Sequence, residues 1–188
     1  IAFSRVDNTE EFSQSRVAQI AQDDLGFMWF GTAYGLNRFD GYGYTVFAGS
    51  ARAPNQLSGV YVSAITKDRA GRLWIASDQG LDIFDPEQGT FSHVDYASSS
   101  RTSAVIQSIY EDRSGTIWLG TSAGLFGLDA SGRTRVHFHH DPVDPDSLGS
   151  NDVRSVQEDR EGTFWLTHSA GLEAIDRDTG RVRIRVPM

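Results

Sequence analysis

The chain repeats one sentence four times. It reads "DDLGFMWFGTAYGLNRFD" at 23–40, "DRAGRLWIASDQGLDIFD" at 68–85, "DRSGTIWLGTSAGLFGLD" at 112–129 and "DREGTFWLTHSAGLEAID" at 159–176. Aligned on Trp29, Trp74, Trp118 and Trp165, the spacings are 45, 44 and 47 residues, a period that belongs to propellers and solenoids. Each copy opens with an apolar pair three residues apart: Val17 and Ile20, Val62 and Ile65, Ile106 and Ile109, Val153 and Val156. An Asp follows (23, 68, 112, 159), then a Gly (26, 71, 115, 162), the Trp, a second Gly (35, 80, 124, 171) with Leu directly after it, and a closing Asp (40, 85, 129, 176).

Segments such as "RLWIAS" and "TIWLGT" are short, apolar and aromatic, and are bounded by Gly and Asp, which marks strands. No stretch sustains the 3.6-residue period of a helix. The Asp-x-x-Gly element predicts a hairpin turn, with Asp accepting from the turn's own amides and Gly supplying a positive φ. The Gly-Leu step predicts a second turn into a third strand. Fourth strands are expected at "YTVF" 44–47, "FSHV" 91–94, "RVHF" 135–138 and "RVRIRV" 181–186. Four strands in about 45 residues make the blade of a β-propeller, so the expected fold is all-β, with four repeats of a four-stranded antiparallel blade. The blades are expected at about 8–47, 58–95, 102–139 and 150–186. Because "FSRVD" at 3–7 matches "FSHVD" at 91–95, residues 1–7 are expected to form an extra outer strand. That surplus strand predicts a piece of a larger propeller whose remaining blades lie further along a longer chain. A four-blade piece could instead stay open or cover its edges with a second copy, so self-association is expected.

Composition narrows the function classes. A net charge of -8, with 25 acidic and 17 basic residues, is the wrong electrostatics for a phosphate-backbone partner, so no nucleic-acid partner is expected. The absence of Cys excludes disulfides, thiol nucleophiles and thiolate zinc sites. No run approaches the ~20 apolar residues of a membrane helix, and the first residues carry neither the basic segment nor the apolar core of a secretory signal. Targeting and any membrane anchor are therefore expected outside this stretch.

The frame V-x-x-I-x-x-D-x-x-G-x-x-W followed by G-L resembles the repeat of the two-component regulator propeller family. Residues 20–47 are similar to that family's first blade, and "PDSLGSNDV" at 145–153, echoed by "PNQLSGVYV" at 54–62, resembles its connector between blades. The resemblance implies a non-catalytic periplasmic sensor region of a bacterial membrane signalling protein, with a histidine kinase, hybrid kinase or diguanylate cyclase output. It also implies recognition of a small molecule or an oligosaccharide. The chain departs from the pattern at Ala76 and Thr167, where the other blades have Gly31 and Gly120, and at Ser77 and His168, where they have Thr.

No nucleophile elbow, phosphate-cradling loop or H-E-x-x-H helix is present. The four turn acids sit on separate blades, so they do not converge as a calcium or catalytic cluster needs; a structural role is expected, as is inter-blade packing for the four Trp. No metal or cofactor is expected. The pair a metal would use is His137 and His139, which share one face of an extended strand. A runner-up reading is an enzyme of the streptogramin lyase type, with His168 as base; a purely structural assembly domain is the third. The turns between second and third strands carry residues that change from blade to blade, and a rigid scaffold presenting variable loops is a common binding arrangement. On that ground Tyr34, Asp78, Gln79 and His168 are the candidate ligand contacts.

Overall fold

The computed structural model describes residues 16–49, 54–96 and 104–187. They form sixteen strands in four antiparallel sheets, each with its strands in chain order. The first sheet is β1 (Val17–Gln22), β2 (Met28–Thr32), β3 (Gly35–Phe39) and β4 (Tyr44–Phe47); the second is β5 (Val62–Lys67), β6 (Leu73–Ser77), β7 (Gly80–Asp85) and β8 (Thr90–Val94). The third is β9 (Ile106–Glu111), β10 (Ile117–Thr121), β11 (Gly124–Leu128) and β12 (Thr134–Phe138); the fourth is β13 (Val153–Glu158), β14 (Phe164–His168), β15 (Gly171–Ile175) and β16 (Val182–Pro187). These are four propeller-type blades. The extra strand expected at residues 1–7 lies outside the described residues, as does the start of the first blade.

Two local devices make each blade. In every copy the first Asp accepts from two amides of its own turn through Oδ1 and from the indole N–H of the Trp six residues on through Oδ2. The four indole bonds are 2.7 Å (Asp23–Trp29) and 2.9 Å (Asp68–Trp74, Asp112–Trp118 and Asp159–Trp165). One carboxylate thereby closes the hairpin and fixes the Trp ring of the second strand. The glycine three residues after each Asp has φ between 83° and 89° at all four turns, a region in which a Cβ is strained.

The second device is a bulge. Residues three apart in a regular strand point to opposite faces, yet Val62 and Ile65 enter one core, and Val153 and Val156 another. Each innermost strand holds one extra residue against its neighbour, at Ala18, Ser63, Gln107 and Arg154, where the register shifts. That insertion returns both members of the apolar pair to the same face.

The described residues fall into two compact units, divided between residues 92 and 93. In the first, Trp29 and Leu36 of one blade pack against Val62, Ile65, Leu73, Ile75 and Phe84 of the next, with Leu57 and Phe91 closing the cluster. In the second, Trp118 and Leu125 pack against Val153, Val156, Phe164, Leu166 and Ile175, with Leu148 beside them. Each core is therefore a blade-to-blade contact, and Trp29 and Trp118 are the inter-blade packing units expected of them. Glycine at 31 and 120 admits the following blade: a Cβ at Gly31 would lie 2.7 Å from Val62 Cγ1, and one at Gly120 would lie 2.9 Å from the Val153 carbonyl.

No described helix is long and apolar enough to cross a membrane.

Candidate functional site

The variable turns join the second and third strands of each blade, and a side chain just before each turn holds it closed. Thr32 Oγ1 donates to the Gly35 carbonyl (2.9 Å) and accepts from Tyr34 N (3.1 Å). Thr121 does the same with Gly124 O (2.8 Å) and Ala123 N (3.0 Å), and Ser77 more loosely at 3.4 Å to both partners. His168 occupies this position in the fourth blade, where its Nδ1 accepts from Ala170 N at 3.0 Å.

The four candidate contacts fall into different environments. Tyr34 is 60% exposed at the tip of its turn. Asp78 and Gln79 are exposed neighbours, with the Gln79 amide donating to Asp78 Oδ2 at 3.3 Å. Asp78 also has internal work, because its Oδ1 accepts from Val60 N (2.9 Å) and Tyr61 N (3.0 Å) and so fixes the segment entering β5. His168 is 1% exposed, and its Nε2 lies 2.9 Å from Glu173 Oε2. An Nδ1 that accepts a backbone proton leaves the ring proton on Nε2, facing the buried carboxylate. Nδ1 of His168 is thus committed to the turn, while Nε2 lies close to the Glu173 carboxylate without hydrogen-bond geometry to it.

Sequence reading missed the residue directly after Gly-Leu, which in the second, third and fourth blades holds the incoming connector. Asp82, fully buried, accepts from Ser58 N (2.8 Å) and Ser58 Oγ (2.7 Å). Glu173, also fully buried, accepts from Gly149 N (3.1 Å) and from Arg185, whose other arm donates to Ser147 O at 2.8 Å. Ser58 and Gly149 occupy the same place in the two Pro-x-x-Leu connectors, after Leu57 and Leu148, each 1% exposed. The third blade has Phe126 there, which meets Tyr96 edge to face at 5.5 Å while Tyr96 donates to Ala104 O at 2.6 Å. Burial pushes the Tyr96 phenol up to about 12.

The second unit carries a cleft of about 240 Å³ on this side, lined by His140, Ser147, Gly149, His168, Ala170 and Arg185 among others. His137 and His139 do share a strand face, with ring centres 5.4 Å apart. His137 Nε2 is bonded to Ala123 O (2.8 Å), and its ring stacks on Phe126 at 3.8 Å. Among the described residues no group of three or more His, Cys, Asp or Glu could hold a metal ion. Two of the turn acids are held below the usual carboxylate value: at Asp112 burial raises the carboxyl, but the Ser114 hydroxyl, the Trp118 indole and two amides bring it down. At Asp159 the Trp165 indole and the Thr163 amide lower it in the same way.

Blades with an internal carboxylate-to-tryptophan bond and anchored connectors define a β-propeller repeat protein. The sequence profile of the two-component regulator propeller family matches two stretches of the chain, residues 56–79 and 100–123. No match is found among curated protein sequences. Among solved structures, the chain is similar to an extracellular domain assigned to a hybrid two-component system of B. thetaiotaomicron, with a TM-score of 0.77 at 24% identity. That match covers 95% of this chain and 23% of the other. A second such domain from B. thetaiotaomicron gives 0.77 at 22%, covering 95% and 26%. Virginiamycin B lyase from Staphylococcus aureus gives 0.67 at 12%, covering 94% of this chain and 57% of that one. The chain thus spans about a quarter of the length of the two extracellular domains. At these identities the likeness carries the fold.

Proposed function

We propose that this chain is a non-catalytic, extracytoplasmic sensor region, periplasmic in a bacterial membrane protein of two-component or diguanylate cyclase type. The observation that carries the reading is the match of its repeat to the two-component regulator propeller family. The chemistry of the variable face supports it. The catalytic-looking carboxylates are each bound to a turn and a Trp, and His168 is buried against Glu173. What remains exposed on the turns is Tyr34 and the mutually bonded pair of Gln79 and Asp78 Oδ2, an aromatic face with amide and carboxylate groups suited to stacking on, and hydrogen bonding with, a hydroxylated ligand such as an oligosaccharide. Occupancy, or a change in how two copies pack, shifts a population of arrangements that the rest of the receptor reads out.

A panel of neutral and acidic oligosaccharides, screened by thermal shift and confirmed by calorimetry, tests this reading. The expected result is a stabilising sugar whose effect is lost in Tyr34→Ala and Gln79→Ala with folding unchanged. Sugar binding that survives both substitutions places the contact elsewhere. Turnover of any panel member would overturn the non-catalytic reading.

A further inference from the structure

The second and fourth blades hold their connectors through the same anchor, and the differences between the two anchors converge on one place. In the second blade short residues suffice: Ser77 holds the turn and Asp82 holds Ser58. The fourth blade carries His168, Glu173 and Gly149 at those positions. It adds Arg185 where the second has Val94, and its connector has Asp141 and Asp144 where the first connector has Ser50 and Ala53. His168, Gly149, Arg185, Asp141 and Asp144 all line the cleft of about 240 Å³. A Cβ at 149 would lie 2.8 Å from Glu173 Oε1 and 3.0 Å from His168 Cε1, so the larger acid and the imidazole need the glycine above them. Glu173, bonded to Gly149 and Arg185, pairs across the sheet with Leu166, a member of the core shared with Trp118. Cross-strand neighbours share a face, so the cleft lies on the side that the fourth blade turns towards the third, under the connector that joins them.

Two donors here have no protein acceptor. Arg185 spends Nε on Glu173 and one amino group on the Ser147 carbonyl. Those donors lie along one edge of the guanidinium. The end-on edge, with an N–H from each amino group, has no partner among the described residues and has the fork geometry that grips a carboxylate through two bonds. His168 is 1% exposed, its Nδ1 accepts from Ala170 N, and the proton on Nε2 has no hydrogen-bond partner. A buried donor without a partner is rare, and it marks a place where a water, an ion or a ligand group belongs. Arg185 and His168 lie against the two oxygens of one carboxylate, Glu173, which brings both donors to one end of the cleft.

Acceptors line the loop side. Asp141 and Asp144 each spend Oδ1 on an amide of their own loop, Val143 N and Asp146 N, both at 3.0 Å, and Oδ2 of each is unbonded among the described residues. One guanidinium thus stands against three carboxylates, so a bare anion is disfavoured and a ligand that also carries a cation is favoured. Pro142, Pro145, Leu148 and Ala170 add an apolar wall. The volume falls below the ~300–1,000 Å³ of ordinary ligand pockets, which limits the occupant to one small unit.

We propose that this cleft binds a free α-amino acid with a small aliphatic side chain, its carboxylate on the end-on edge of Arg185 beside His168 and its ammonium on Asp141 and Asp144. The site belongs to the other unit from Tyr34, and it stands or falls independently of sugar binding there.

Calorimetry on the unaltered chain with glycine, alanine, proline and valine tests the proposal, with acetate, methylamine, N-acetylalanine and glycylalanine as probes of each half. The expected result is saturable binding of at least one of the four amino acids and no binding of acetate, methylamine or N-acetylalanine. Asp141→Asn with Asp144→Asn keeps an acceptor for each loop amide but removes the charge, and lowers affinity about tenfold with the thermal midpoint unchanged. Arg185→Lys keeps the charge without the fork and lowers affinity by a similar factor. No saturable heat from any of the four up to about 10 mM overturns the site. Acetate that binds as tightly as the amino acids overturns the ammonium contact, and glycylalanine preferred to alanine replaces the free amino acid with a peptide terminus. Binding that neither variant weakens overturns the placement in this cleft.

Discussion

Replacing Asp112 by Asn changes one atom and tests the carboxylate clasp directly. Oδ1 of Asp112 accepts from Ser114 N (2.8 Å), Ser114 Oγ (2.6 Å) and Thr116 N (3.0 Å), while Oδ2 accepts from Trp118 Nε1 (2.9 Å) and Arg177 Nη1 (3.5 Å). Every partner is a donor, so an amide has no orientation that avoids setting its NH2 against at least two of them. Either orientation strands two donors, the Trp118 indole and Arg177 or the Ser114 and Thr116 amides, because the Ser114 hydroxyl can turn and accept. Trp118 is 2% exposed, so its N–H has no water to turn to, and stranding a buried donor costs about 1–3 kcal/mol. The remaining bonds lose their charge assistance, bringing the total to about 3 kcal/mol, a large part of a typical 5–15 kcal/mol stability. In urea unfolding followed by tryptophan fluorescence, that loss moves the midpoint down by about 1.5 M for a slope of about 2 kcal/mol per M. Asp159→Asn is the internal control: Trp165 is half-buried, water replaces the lost acceptor, and the midpoint moves less. If Asp112→Asn unfolds within about 0.3 M of the unaltered chain, or if Asp159→Asn moves the midpoint as far or further, the clasp is not what fixes the Trp.

Three other outcomes are expected. Asp82→Ala leaves Ser58 N and Oγ without their buried acceptor, costs about 2–4 kcal/mol, and speeds hydrogen exchange at the Ser58 amide. Asp176 is held down to about 2 by the Thr179 amide and hydroxyl and by Arg183, so its contribution is complete above the unfolded carboxylate value near 4 and is lost as pH falls through about 2; a carboxyl NMR titration reads the value, and Thr179→Ala raises it. Tyr96, pushed up to about 12, favours the folded state fully below the unfolded phenol value near 10 and progressively less as pH rises from there through 12, which ultraviolet titration detects as one late tyrosine absent in Tyr96→Phe.

The repeat frame was enough to locate the strands, because a Gly or Asp that must turn and a Trp that must be buried recur at constant spacing. The constant six residues between Asp and Trp also held the clasp in plain view, although periodicity alone says nothing about an indole reaching back to a carboxylate. The apolar pair three apart was legible as a pattern but not as a face; in a regular strand it points both ways, and only the inserted residues at 18, 63, 107 and 154 reconcile it. Position-by-position variation misled most at the turns. His168 stands where two blades have Thr and one has Ser, and its Nδ1 serves as the acceptor for the turn, a role that the variation alone does not reveal. The connector anchors were hidden for the opposite reason. No one residue type repeats at that position: Asp82 and Glu173 are carboxylates and Phe126 is a ring, and their roles appear only beside the connectors they hold.

The carboxylate-to-indole bond closes over six residues, and every sheet is a meander whose strands pair in the order in which they are made. Contacts of such short sequence separation cost little loop entropy and form fast. A blade emerging from the ribosome can therefore clasp its first hairpin before the next repeat has been synthesised, and the slower event is the docking of finished blades. Folding of this chain is in that sense a printing process, with hairpins closed in the order of the text and the Trp faces of the first and third blades buried only as the next blade docks.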